Sequence, residues 1–404
     1  MTNGVSSPES VGFSSQRLSR VNKMMQGYID DGKLANGLTM LARHGETFHF
    51  EPYGMLDLES GTPVERDTLF RIYSMTKPIT SAAVMMLYEQ GYFSLDDPVG
   101  KFIPELASLK VYDGMGETGM RLVDQKQPIT VRHLLTHTSG LSYGFHQDSP
   151  IEEMYREANV TDPDSTLKEM AEKLGKLPLV TQPGTKWRYS NATDVLGYLV
   201  EVVSGTPFDR YLQDNILEPL GMTDTSFYVS EENLDRLATV YGAATNGKIT
   251  PLDNPMVNRQ RRPHTLFSGG GGLVSTGSDY MRFCQMLLNG GILGDERLLA
   301  PKTVEMMRSN HLTDDMRPFA VGQSNASDTK GCGFGLGFRV VMDIAQHGII
   351  GSNGIYSWGG AASTVFWIDP QEDLVAILLT QFMPSSHYPL RREFQIATYQ
   401  ALVE

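Results

Sequence analysis

Residues 68–91, TLFRIYSMTKPITSAAVMMLYEQG, run a strand-like segment into an apolar helix, with a hydroxyl and an amine at the joint. A proline fits a helix only in the first turn, where its missing N–H had no partner, so Pro78 fixes the helix start within a few residues of Ser74. Ser74 and Lys77 then share one helix face, and the partly positive helix end stabilises negative charge developing at the hydroxyl. A serine hydroxyl is a weak nucleophile until a base takes its proton. An amine can be that base only where its surroundings disfavour the charged form, as burial beside a cleft does. Ser-x-x-Lys also occurs by chance, as a helix cap beside a solvated lysine, so the chemistry needs support from elsewhere in the chain.

Two other segments give that support. Residues 184–191, GTKWRYSN, end a Pro/Gly loop and open the helical pattern ATDVLGYLVEVVSG, presenting Tyr189 and Asn191 at a loop tip. A phenol and an amide placed this way can relay a proton and hold a carbonyl; standing alone they would read as a cap beside a packed ring. Trp358-Gly359-Gly360-Ala361 directly precedes the strand pattern STVFWID. Glycines there let an acyl group approach a strand edge, where an exposed N–H can serve an oxyanion; the alternative is a β-bulge without chemistry.

In this order and context the three segments resemble the signature of serine β-lactamases and penicillin-binding proteins: Ser-x-x-Lys, Tyr-x-Asn, then Lys-Thr-Gly. More closely, the chain is similar to the class C β-lactamase-like carboxylesterases called family VIII. That similarity runs from about residue 10 to about 400 and includes LLTHTSGL, PGTKWRYSN, LGMTDTSF, GGGGLVST and YSWGGAASTVFWIDP. The resemblance implies an acylated Ser74, with Lys77 and Tyr189 sharing the base and acid work. It further implies an oxyanion hole made by the N–H groups of Ser74 and Ala361, and an Asn191 that orients Lys77 or the substrate carbonyl.

The third segment departs from the pattern. Trp358-Gly359-Gly360 stands in place of Lys-Thr-Gly, so an aromatic wall replaces the cation that would meet a β-lactam carboxylate. One charge-assisted contact is worth a few kcal/mol, so esters are expected ahead of β-lactams. Tyr143, Phe145, Trp187, Trp358 and Met383 are the expected walls of an apolar acyl or alcohol pocket, with Gly359 and Gly360 beside the substrate. The expected activity is hydrolysis of short-chain or aryl carboxylic esters. β-Lactamase or D-amino-acid peptidase activity, acyl transfer to another alcohol, and a non-catalytic binding module are the alternatives. No metal or organic cofactor is required.

Strand patterns sit at both ends of the chain. LTMLAR, a turn at His44-Gly45-Glu46, and TFHFEPYG form one hairpin; STVFWID, a turn at Pro370–Asp373, and LVAILLTQ form another. A surface helix over 15–32 precedes the first, and a last helix starts after Pro389. Helical patterns fill the middle. The expected architecture is an α/β (α+β) β-lactamase/transpeptidase-like fold with an antiparallel sheet flanked by helices. Residues 1–97 and 265–404 form the sheet domain, residues 98–264 a mostly helical one, and the active site lies at their junction.

The 404 residues are 40% hydrophobic, enough apolar surface for large cores, and the formal charge of -13 argues against nucleic acid. Cys284 and Cys332 are expected to be buried free thiols. The N-terminus lacks a basic start followed by an apolar run, and no stretch nears the roughly 18 apolar residues of a membrane span, so a cytoplasmic location without a membrane partner is expected.

Several other signals carry less. Gly140-Leu141-Ser142-Tyr143-Gly144 matches the nucleophile elbow of α/β-hydrolases, but a helix rather than an apolar strand precedes it. His133 and His137 have helical metal-ligand spacing without the Glu of a zinc protease, and packing or capping is the simpler reading. Gly269–Gly272 is not followed by Gly-Lys-Ser or Gly-Lys-Thr, so it is read as close backbone packing near the cleft. The alternating glycines 331–337 are read as one small face of a strand. The Arg259, Arg261 and Arg262 cluster, in a loop near the expected cleft, is read as solvated, with an entrance contact for an anionic substrate as the lesser alternative.

Overall fold

The computed structural model describes residues 5–117, 119–244, 247–321 and 329–404. The first four residues of the N-terminal segment read above lie outside the described residues. Both expected hairpins form, and they pair with each other. Asn36–Arg43 lies antiparallel to Glu46–Asp57 on one side and to Leu374–Leu379 on the other, with Leu38 opposite Leu379 and Arg43 opposite Leu374. The resulting sheet has eight strands, in the order Cys332–Phe334, Arg339–Val341, Tyr356–Gly359, Val365–Asp369, Leu374–Leu379, Asn36–Arg43, Glu46–Asp57 and Thr62–Pro63. Every adjacent pair is antiparallel.

Side chains alternate across a strand, so the apolar run LVAILL must bury both faces. Val375, Ile377 and Leu379 join the core that contains Ile79, Met281 and Phe366. Leu374, Ala376 and Leu378 join the opposite core, with Leu18, Val21 and Phe394 from the two terminal helices, Ser15–Asp30 and Leu390–Tyr399. Thr76–Glu89 is buried at every residue from Thr76 to Met85, as a helix apolar all round must be. It therefore runs through the larger core, and only its N-terminal end reaches the cleft.

Between residues 98 and 264 lie the helices Val131–Leu135, Ile151–Glu157, Leu167–Leu174 and Ala192–Ser204. Ala192–Ser204 packs against Thr76–Glu89, which carries the Tyr189 loop to Ser74. An antiparallel hairpin, Val111–Gly116 with Gly119–Val123, also occurs in this segment, which was expected to be mostly helical. Its exposed face and glycine ends give too weak an alternation to read as strands. The glycines 331–337 likewise do not line one strand: only Cys332–Phe334 is extended, and Gly331 and Gly337 take left-handed φ values of 70° and 96°. Cys284 and Cys332 are buried free thiols. No described helix is long and apolar enough to cross a membrane.

Candidate active site

The strand Phe70–Arg71 ends in a turn that holds Tyr73 at φ 45°, a left-handed conformation that is strained for a bulky residue. That turn swings Ser74 to the head of the helix while both neighbours, Tyr73 and Met75, are buried. The Tyr189 hydroxyl donates to Ser74 Oγ at 2.6 Å, and Lys77 Nζ donates to the same oxygen at 3.3 Å. The three residues named from the sequence thus converge on one oxygen. Lys77 is 1% exposed, and its Nζ lies 4.5 Å from the Tyr189 ring centre.

Two further acceptors hold Lys77: the Gly270 carbonyl at 2.6 Å and the Tyr143 hydroxyl at 2.9 Å. Asn191, expected to orient Lys77 or the substrate carbonyl, is not among the acceptors of Lys77. Its Nδ2 donates to Asp194 at 3.3 Å, while its buried Oδ1 has no partner among the described residues. Tyr143, expected as a pocket wall, does that work instead. Its phenol is pushed far above the usual range by burial and by the neighbouring Asp194 carboxylate.

Asp194, 1% exposed, also accepts from Ser268 Oγ at 2.5 Å and from Gly270 N–H at 3.0 Å. This ties the glycine run to the lysine. A Cβ on Gly270 would lie 2.5 Å from Asp194 Oδ2 and 2.8 Å from the Tyr143 hydroxyl, so the run is glycine because side chains fill the space above it. Arg259, expected in solvent, is half-buried and donates to the Gly271 carbonyl at 2.5 Å; burial lowers its pKa.

His137 packs between Trp187 and Tyr189, with ring centres 5.6 and 5.0 Å away. Burial, and secondarily Lys77, holds its pKa well below the usual histidine value. It supports the tyrosine ring and makes no contact with Ser74. His133 caps its own helix, accepting from Thr130 N–H through Nδ1. Ser142, the competing nucleophile, is fully buried, donating to Glu152 and accepting from Arg188.

The third segment meets the nucleophile turn through Gly360, where an added Cβ would lie 2.5 Å from the Ile72 carbonyl. Gly359 is similarly filled: a Cβ there would lie 2.8 Å from the Arg391 guanidinium carbon. Both glycines were expected to admit substrate, but they admit protein atoms. Trp358 is 6% exposed and packs edge-on to Phe334, 5.7 Å from Tyr189. Trp187 is also buried, stacked parallel to Tyr189. The two tryptophans therefore brace the Tyr189 ring more than they line open space.

Phe145 is exposed and stacks on Tyr143 at 5.1 Å, beside a cavity of about 730 Å³ that is also lined by His146, Gln147 and Arg156. Met383 sits on a short strand parallel to Tyr241–Gly242, and no described contact joins it to Ser74. Among the described residues, the backbone N–H groups of Ser74 and Ala361 have no hydrogen-bond acceptor.

With this geometry in view, comparisons place the chain among known proteins. A model of the Beta-lactamase family matches residues 21–400. Protein Rv1367c of Mycobacterium tuberculosis is 38% identical over 368 residues, covering 88% of each chain. Esterase EstB of Burkholderia gladioli is 30% identical over 384 residues, 90% of each. The solved structure of EstCE1, described as a hydrolase with promiscuous acyltransferase activity, superposes with a TM-score of 0.82 at 29% identity, covering 95% of this chain and 99% of its own.

Proposed function

The chain belongs to the Beta-lactamase family, in its family VIII carboxylesterase branch, and from that premise we propose that it hydrolyses short-chain or aryl carboxylic esters through an acyl-enzyme on Ser74. Ser74 Oγ attacks the ester carbonyl as its proton passes to the Tyr189–Lys77 pair. The carbonyl oxygen, now an anion, takes the unpaired N–H groups of Ser74 and Ala361. The alcohol leaves with the proton returned by the same pair, and water then repeats the sequence to free the acid. The alcohol must leave on the side of Lys77 and Tyr189, which is where Tyr143 and Phe145 stand beside the open cavity. The active cleft lies where segment 98–264, carrying Tyr143 and Tyr189, meets segments 1–97 and 265–404, carrying Ser74 and Ala361.

The observation that carries this reading is the pair of donors on one hydroxyl, 2.6 and 3.3 Å away, with the amine buried. Steady-state kinetics test it. kcat/KM for a short p-nitrophenyl ester should far exceed that for nitrocefin, and the reverse order would overturn the substrate class. Acyl transfer is the second reading, supported by the described activity of EstCE1. Added alcohol that diverts product from acid to a new ester would establish it.

A further inference from the structure

Arg391 lies in the helix Leu390–Tyr399, some thirty residues beyond the third segment, and the chemistry above makes no use of it. Its Nη2 donates to the Gly360 carbonyl at 2.5 Å, and its guanidinium fills the space that a Cβ on Gly359 would occupy. Its Nε is buried without a partner, and none of the ion pairs among the described residues includes it. A second guanidinium, Arg339, lies close enough to join burial in lowering its pKa to about 10. A half-buried cation without a carboxylate partner, set beside another cation, is destabilising, and such local violations concentrate at functional sites.

The bond it makes falls on one particular amide. The Gly360 carbonyl and the Ala361 N–H belong to the same peptide group, whose other end is the proposed oxyanion donor. The ladder holds the backbone only as far as Gly360, where Gly359 pairs with Val365 and the Gly360 N–H donates to the Thr364 carbonyl at 3.0 Å; the following peptide, the one that must present its N–H in a fixed direction to an oxyanion, is held at its carbonyl by Arg391. A cation on the carbonyl fixes the peptide plane and draws electron density from nitrogen to oxygen, which makes the N–H a stronger donor.

We propose that Arg391 is a positioning residue that orients and polarises the Gly360–Ala361 peptide so that the Ala361 N–H can bind the oxyanion. The proposal rests on the esterase reading. No proton or bond is exchanged at Arg391, so its effect should appear where negative charge develops on the substrate oxygen and not in ground-state binding.

The test uses the full-length enzyme with Arg391→Gln and Arg391→Lys. For Arg391→Gln, kcat/KM for a p-nitrophenyl ester should fall about tenfold, with KM little changed. Ki for a boronic acid that forms a tetrahedral adduct on serine should rise in proportion. The infrared carbonyl band of a slowly hydrolysed acyl-enzyme should move to higher frequency as the oxyanion hole weakens. Arg391→Lys keeps the charge and should lie between Arg391→Gln and the parent in all three readouts; it also serves if the glutamine variant does not fold. Folded variants with parental kcat, boronate Ki and carbonyl frequency would overturn the role of Arg391 while leaving the esterase standing. A rise in KM alone would overturn it equally. If the parent protein neither turns over esters nor binds the boronate, the esterase reading itself has failed, and the role of Arg391 falls with it.

Discussion

Replacing Ser142 by alanine separates the two serines the sequence offers as nucleophiles, and the structure fixes what it should do. Ser142 Oγ donates to Glu152 Oε1 at 2.5 Å and accepts from Arg188 Nε at 3.1 Å, in a pocket where Glu152 is 1% exposed. Ser142→Ala deletes both bonds, but Arg188 Nη2 still pairs with Glu152 at 2.6 Å and the His146 N–H still reaches its other oxygen at 3.2 Å. The carboxylate is therefore not orphaned, which would destabilise by about 3–5 kcal/mol. What is lost is two hydrogen bonds to charged groups, about 3–5 kcal/mol together if each counts in full. Urea unfolding followed by tryptophan fluorescence should show that loss, while esterase kcat stays near the parent value. Ser74→Ala should do the opposite, keeping stability and losing about a thousandfold or more in turnover. Activity that disappears in Ser142→Ala and survives in Ser74→Ala would refute the assignment.

Tyr189→Phe keeps the ring packing against Trp187 and His137 but removes the 2.6 Å donor on Ser74, so kcat should drop about 10²–10⁴-fold with KM nearly unchanged; a comparable rise in KM would point instead to a binding role. Gly360→Ala drives a methyl to 2.5 Å from the Ile72 carbonyl, a backbone atom that cannot turn aside, so Tm and kcat should fall together, with about 1–3 kcal/mol lost; unchanged values would show that the contact relaxes freely. Stability should also decline in mild acid. Burial lowers the His49 pKa from 6.5 to about 4, so below pH 6.5 the unfolded chain binds a proton that the native state refuses. The stability His49 gives is complete above pH 6.5 and is lost towards pH 4, at up to about 1.4 kcal/mol per pH unit. His49→Gln should flatten that limb in urea titrations, and an unaltered slope would exclude His49.

Much of the site is legible in the chain because local chemistry announces it. Pro78 dates the helix start and thereby places Ser74 and Lys77, and the Pro/Gly loop before Tyr189 delivers the phenol. The two hairpins follow from short apolar runs flanked by turns at His44-Gly45 and Pro370–Asp373. What stayed hidden depends on contacts between distant segments. Tyr143 was visible only as an aromatic, since its bond to Lys77 spans 66 residues of chain. Asp194 gave no signal, because an acid in a helix's first turn is ordinary, yet here it is enclosed by Ser268 and Gly270. The reading of Gly359 and Gly360 as openings for substrate missed that a neighbour's guanidinium and a carbonyl can require glycine as strictly as a ligand does. Arg391 approaches from a separate helix, so no spacing links it to the strand it supports.

Rapid quenching of the enzyme with a p-nitrophenyl ester, followed by peptide mass mapping, bears most directly on whether one buried amine and one phenol make this hydroxyl the nucleophile. The account predicts a single acyl group, carried by the peptide containing Ser74 and greatly diminished in Lys77→Met. An acyl group found on another residue, or rapid turnover with Ser74 never modified, would contradict it.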